Sequence, residues 1–350
     1  MKTSIIICIL SLLPLFGSAR VNYPAKGRYK AVAAGEAHVM VIKEDGTLWG
    51  WGCNENCQLG TGDTIDRASA VKILDRVTAV AAGGCQTFAV RDDGSLWGWG
   101  YFGPNPRFDK ESVVADHWRA SPVKILEGVK SVSAGGTHAA ILCKDGSLWT
   151  LGWNNCGQLG DGSRTYRPHP VKVLDNVKSV ATGTYHTLAL LNDGTLLTWG
   201  SNNCGQLGTG NRQDQLKPIK ILADVKKVEA GGNRSLAIRN NGTLWEWGFN
   251  DSQNDGPTNS FQLEPKQIWQ EVSDMAAGSF HAMAIKSDGS LWGWGANDYG
   301  QLGNGTDRGQ GEFVKIADAV KCVACGHIFT IFLTRNGDLM LTGKVNPFVE

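Results

Sequence analysis

One phrase recurs seven times in this chain of 350 residues: an Asp-Gly or Asn-Gly pair, a β-forming run usually rich in tryptophan, and then glycine. The pairs begin at Asp45, Asp93, Asp145, Asp193, Asn241, Asp288 and Asn336, spaced 48, 52, 48, 48, 47 and 48 residues apart. A period near 50 residues, with hairpin chemistry in every unit and no amphipathic helical stretch, points to a β-propeller rather than a helical solenoid. The expected fold is all-β, a seven-bladed propeller occupying residues 20–350.

The third unit shows how a blade is written. Val129 to Gly135, Thr137 to Leu142, Ser147 to Gly152 and Pro170 to Leu174 are short runs bounded by Gly, Asn, Asp or Pro, which predicts four strands per blade. Asp145-Gly146 suits a type I′ hairpin between the second and third of them. The first strand ends in small residues, as in Ala33-Ala34-Gly35 and Ala276-Ala277-Gly278, which is what seven wedges converging on one axis require. In the third strand the recurrent large residues stand two apart, as Trp97 and Trp99 do, and therefore share a face. Ten of the 13 tryptophans fall at these two positions and read as packing between blades, not as a recognition surface. The seventh unit stops after Leu339–Gly343 and lacks an outer strand, while Tyr23-Pro-Ala-Lys26 resembles Ser121-Pro-Val-Lys124, the start of such a strand. A strand from the N-terminus is expected to close the ring and remove an exposed edge.

The first 19 residues read as a signal peptide: Met1-Lys2, an apolar run from Ile5 to Phe16, and the small-residue site Gly17-Ser18-Ala19. The expected address is extracytoplasmic, secreted or periplasmic, with no membrane insertion after cleavage. Loss of Lys2 takes the formal charge from +1 to 0, and the absence of a basic cluster argues against a nucleic-acid partner. Eight cysteines remain. Cys53 and Cys57 share a loop and could bridge, whereas Cys322 and Cys325 on one inner strand face opposite sides and cannot.

Ala-Gly-x-x-His, Asp-Gly-x-Leu-Trp-x-Trp-Gly and Asn-x-x-Gly-Gln-Leu-Gly, found together over nearly the whole mature chain, resemble the regulator of chromosome condensation repeat family. The resemblance implies seven blades of this length. It implies less about activity, because that fold serves a nuclear exchange factor for a small GTPase, a plant UV-B photoreceptor and a secreted β-lactamase inhibitor. Light sensing would ask for Trp beside the repeat histidines, and none stands there. Export argues against the exchange factor, which remains an alternative, as does a secreted enzyme inhibitor.

His38, His138, His186 and His281 occupy one repeat position, filled elsewhere by Gln86, Arg234 and Phe329. Four equivalent imidazoles are expected to hydrogen-bond loop backbone and serve structure, since a catalytic residue is needed once. The Gly-Gln-Leu-Gly segments lack the helix and Lys-Ser/Thr pair of a phosphate loop and read as turns. No catalytic residue, metal site or cofactor is expected. The leading reading is a monomeric, exported, non-enzymatic scaffold binding an unknown protein or glycan. Its site is expected where blades two and five break the repeat, at Phe102, Phe108, Trp118, Arg234 and Phe249, because loops on a rigid scaffold concentrate aromatic and Arg anchors.

Overall fold

Among the described residues, six four-stranded antiparallel sheets and a seventh of three strands follow one another along the chain, each meandering outward from an inner strand. The computed structural model describes residues 28–103, 117–249 and 261–345. Blade one comprises Tyr29–Ala34, His38–Lys43, Leu48–Gly52 and Arg67–Leu74, and blade seven comprises Val320–Cys325, Phe329–Thr334 and Leu339–Gly343. The signal peptide and the proposed closing strand lie outside the described residues.

The core is not central. It consists of seven hydrophobic clusters, one in each wedge between successive blades. Blade seven packs on blade one through Phe329, Ile331 and Leu333 against Val39, Val41 and Trp51, so apolar burial itself joins the two ends of the ring. Cys322 belongs to that wedge and Cys325 to the one between blades six and seven, on opposite faces of one strand as the pleat requires.

The hairpins differ from the expected type I′. Gly46 N–H donates to the Lys43 carbonyl at 2.9 Å, and Lys43 N–H donates to Thr47 at 3.0 Å. Only the glycine has positive φ, +78°, whereas type I′ needs it at both central residues. The turn is therefore type I with a left-handed glycine bulge. Asp45 accepts from Thr47 N–H at 2.9 Å and Thr47 Oγ1 at 2.6 Å, and the hydroxyl accepts from Trp49 Nε1 at 2.9 Å. The motif Asp-Gly-Ser/Thr-x-Trp is thus one hydrogen-bonded unit, repeated at Asp93, Asp145 and Asp288.

The second tryptophan of each pair reaches the blade before it. Trp99, Trp199 and Trp247 are fully buried, and each indole donates at 2.9 Å to the backbone carbonyl of Gln58, Gln158 or Gln206 in the preceding Gly-Gln-Leu-Gly loop. A Cβ at Gly60 or Gly160 would stand 2.7 or 2.6 Å from that indole, and both glycines have positive φ. The loop is held from within: Asn54 accepts from Leu59 N–H at 2.9 Å, and Gln58 accepts from Asn56 N–H at 2.8 Å.

Candidate partner-binding face

The second strand begins where the third ends, with His38 opposite Gly52, so the loops after the first and third strands share one side of the ring. The repeat histidines stand at that rim and are fully buried. Their partner is not the expected loop backbone but a hydroxyl in the next blade. His38 Nε2 lies 2.8 Å from Thr87 Oγ1, which donates at 2.7 Å to the Gln58 carbonyl. The same chain links His138, Thr187 and Gln158, then His186, Ser235 and Gln206, then His281, Thr330 and Gln301. Since the hydroxyl proton is spent on the carbonyl, Nε2 must carry a proton and donate.

Nδ1 of each ring has no hydrogen-bond partner among the described residues, and the ring lies against the first-loop glycine, where a Cβ at Gly35 would come within 2.2 Å of His38. Protonation would bury a charge, and burial lowers all four pKa values from 6.5 to about 3. The folded state therefore binds fewer protons than the unfolded one between these limits. Stability should be complete above pH 6.5 and fall as pH drops toward 3, at up to about 1.4 kcal/mol per pH unit per histidine. Urea unfolding between neutral and acid pH should show a shallower slope in His138→Gln than in the wild type; equal slopes would remove these histidines as the cause.

The chain of three groups explains the departures in blades two and five. Both lack the Gly-Gln-Leu-Gly loop, both lack the histidine, and the following blades carry Ala139 and Ala282 where the hydroxyl would stand. Without the loop carbonyl, neither of the other members has a function. This corrects two expected binding residues. Phe102 is 2% exposed and packs edge-on to Phe88 at 5.4 Å in the wedge between blades two and three. It fills the space that the loop leucine, Leu59, fills one wedge earlier. Arg234 is 1% exposed, and its Nε lies 3.0 Å from the Glu246 carboxylate, which accepts from Trp294 Nε1 at 3.2 Å. Trp294 has no Gln loop before it, and Glu246 supplies the missing acceptor while Arg234 neutralises it. Both side chains are too buried to meet a partner directly.

Cys53 and Cys57 are free thiols, against the proposed bridge. Cys57 has φ +59°, the left-handed position that Gly157 holds in blade three, where a Cβ would point onto Leu216 of the neighbouring outer strand. Its side chain is buried there. Phe108 lies outside the described residues. Trp118 and Phe249 both stand half-buried on the loop side, on separate blades.

Trp118 is the stronger of the two. It opens the outer strand Trp118–Leu126 opposite Tyr101, with ring centroids 4.6 Å apart. Tyr101 meets His117 at 6.0 Å, His117 meets Tyr166 at 5.1 Å, and Tyr166 meets Trp153 at 6.4 Å. Five rings thus cross from blade two to blade three. Tyr101 and His117 are buried beneath, while Trp118, Trp153 and Tyr166 remain half-exposed. The Arg119 guanidinium lies 4.3 Å from the Phe102 ring. Its burial lowers its pKa against the opposing effect of Tyr166, whose own phenol is raised by burial. Rigid half-buried aromatics beside arginine are the composition of binding hot spots. Phe249 makes a smaller pair with Phe261 at 6.0 Å, and Arg212 covers Phe261 at 4.2 Å.

Sequence reasoning passed over Trp153 and Tyr166. A signal existed: only Trp118, Trp153 and Trp269 stand outside the repeat positions, and two of those three meet in this cluster.

The RCC1-like domain family matches this chain over residues 15–256 and 116–347, almost its full length. The chain belongs to the RCC1-like domain family. Solved propellers share the fold: human WBSCR16 (23% identity, TM-score 0.75, 91% of this chain and 87% of that one) and Prp20p of Saccharomyces cerevisiae (22%, 0.74, 90% and 82%). The latter was studied with its binding to Gsp1p and histones. Among curated relatives, the ultraviolet-B receptor UVR8 of Arabidopsis thaliana is 29% identical over 144 residues, 39% of this chain and 32% of that protein. The X-linked retinitis pigmentosa GTPase regulator homolog of Caenorhabditis elegans is 27% identical over 144 residues, 41% and 7% respectively. This RCC1-like chain therefore spans a third or less of the length of these two relatives.

Proposed function

We propose that this RCC1-like propeller is an exported, non-enzymatic scaffold that binds a protein partner through the aromatic face between blades two and three. The observation that carries the reading is the continuous ring path from Trp118 to Trp153, with three half-exposed aromatics beside Arg119 on a rigid frame. Export rests on the signal-like first 19 residues. A protein partner fits the binding of Gsp1p and histones by Prp20p, a propeller of the same fold.

A photo-crosslinker placed in turn at Trp118, Tyr166 and the hairpin residue Lys144 tests the face directly, in the envelope or extracellular fraction. The two aromatic positions should yield a protein adduct and Lys144 none. Alanine at Trp118 or Tyr166 should weaken the captured partner's binding by about 1 to 4 kcal/mol with the melting temperature nearly unchanged. Adducts from Lys144 alone would move the site to the opposite face, and carbohydrate in the adduct would replace the protein partner with a glycan. The competing exchange-factor reading requires accelerated nucleotide release from a small GTPase, and none is expected.

A further inference from the structure

A channel of about 450 Å³ runs along the ring axis, lined by the seven inner strands. Each inner strand pairs on one side only, so its free edge turns unpaired backbone groups toward the channel. At the level of Ala33, six blades place alanine or serine, Ser133 and Ala276 among them, and blade five places Glu229. The seven-fold pattern makes the carboxylate an intrusion where a methyl group would complete the wall.

Glu229 makes no hydrogen bond or ion pair with the described residues. The nearest charges are Lys227 and Asp274, and they are bonded to one another across blades five and six. Asp274 accepts from Met275 N–H at 2.6 Å as well. Asp274 thus offsets part of the pull of Lys227, which makes no bond to Glu229 itself. Burial pushes its carboxyl up to about 7. Glu229 is half-buried in the channel wall, where an ionised carboxylate without a bonded partner costs stability, and a perturbed group in a cavity is a functional-site candidate.

We propose that the axial channel binds a small organic cation bearing a primary ammonium group, with Glu229 as its counter-ion and free-edge backbone carbonyls as its remaining acceptors. The volume lies within the range of small-molecule sites. An anion would find Lys227 already taken by Asp274, and no group of three side chains among the described residues can hold a metal ion. The site lies on the axis, away from Trp118 and Tyr166, and stands or falls apart from the partner-binding reading.

The test uses the full mature chain, with putrescine as the probe and 1,4-butanediol as its neutral counterpart, in calorimetry and thermal melts at slightly alkaline pH. Putrescine should bind and raise the melting temperature, and the diol should not. Glu229→Ala restores the residue of the sister blades and should fold at least as stably while losing about tenfold or more in affinity for putrescine. Glu229→Gln keeps the shape without the charge and should lose affinity equally. Lys227→Ala should bind as well or better, because it frees the carboxylate of Asp274. No putrescine binding by the wild type, or undiminished binding by Glu229→Ala or Glu229→Gln, overturns the proposal; the latter would assign the amine to surface carboxylates.

Discussion

Replacing Arg234 by alanine should destabilise the ring by about 3 to 5 kcal/mol, because it leaves the Glu246 carboxylate buried without its partner. The pair is nearly inaccessible to water, and Glu246 also accepts the Trp294 indole of blade six, so the loss reaches across a wedge. Blade seven shows a workable alternative, with Phe329 and Leu341 at the equivalent positions. The double substitution Arg234→Phe with Glu246→Leu should therefore recover most of the loss. A deficit of about 1 to 2 kcal/mol should persist from the Trp294 N–H left without an acceptor. Urea midpoints at unchanged m-value measure both variants. If the single change costs under about 1 kcal/mol, or the double costs more than the single, the ion pair does not hold this wedge.

Trp199→Ala should cost about 3 to 5 kcal/mol, the range for emptying a large buried aromatic site. It removes a side chain with no exposed surface from the wedge between blades three and four, together with its bond to the Gln158 carbonyl. Trp149, the first tryptophan position of blade three, is half-buried against the wedge between blades two and three, and its indole donates to the Ser147 hydroxyl of its own hairpin. Trp149→Ala should cost roughly half as much, since its ring already keeps part of its surface in water. Equal losses at the two sites would mean that the depth of burial does not separate the two tryptophan positions.

The two experiments probe one rule from different sides. Where a Gly-Gln-Leu-Gly loop exists, its glutamine carbonyl receives the hydroxyl that accepts from the histidine, and in blades one, three and four it also receives the next tryptophan. Where the loop is missing, the chain substitutes Phe102 for its leucine or Glu246 for its carbonyl. Blades two and five thus spend irregular residues on repairing the wedges, while Trp118 of blade two stays half-exposed on the loop side.

The amino-acid sequence by itself determined the number of blades, the four-strand unit, the small-residue hub and the packing role of the tryptophan pairs. Each follows from a local period or a turn requirement that is present seven times, so the signal adds up along the chain. The opposite orientations of Cys322 and Cys325 were equally legible, since the pleat alone fixes them. The tertiary structure decided the rest. Arg234 and Phe102 read as surface anchors because they break a pattern in loops, yet whether such a side chain turns outward or plugs a wedge depends on which blade lies beside it. Trp153 and Tyr166 join Trp118 only because blade three packs on blade two, across about 50 residues of chain. The partners of the repeat histidines were out of reach for the same reason: each hydroxyl comes from the next blade, 49 residues away, and sequence patterns record periodicity without recording which neighbour a side chain faces.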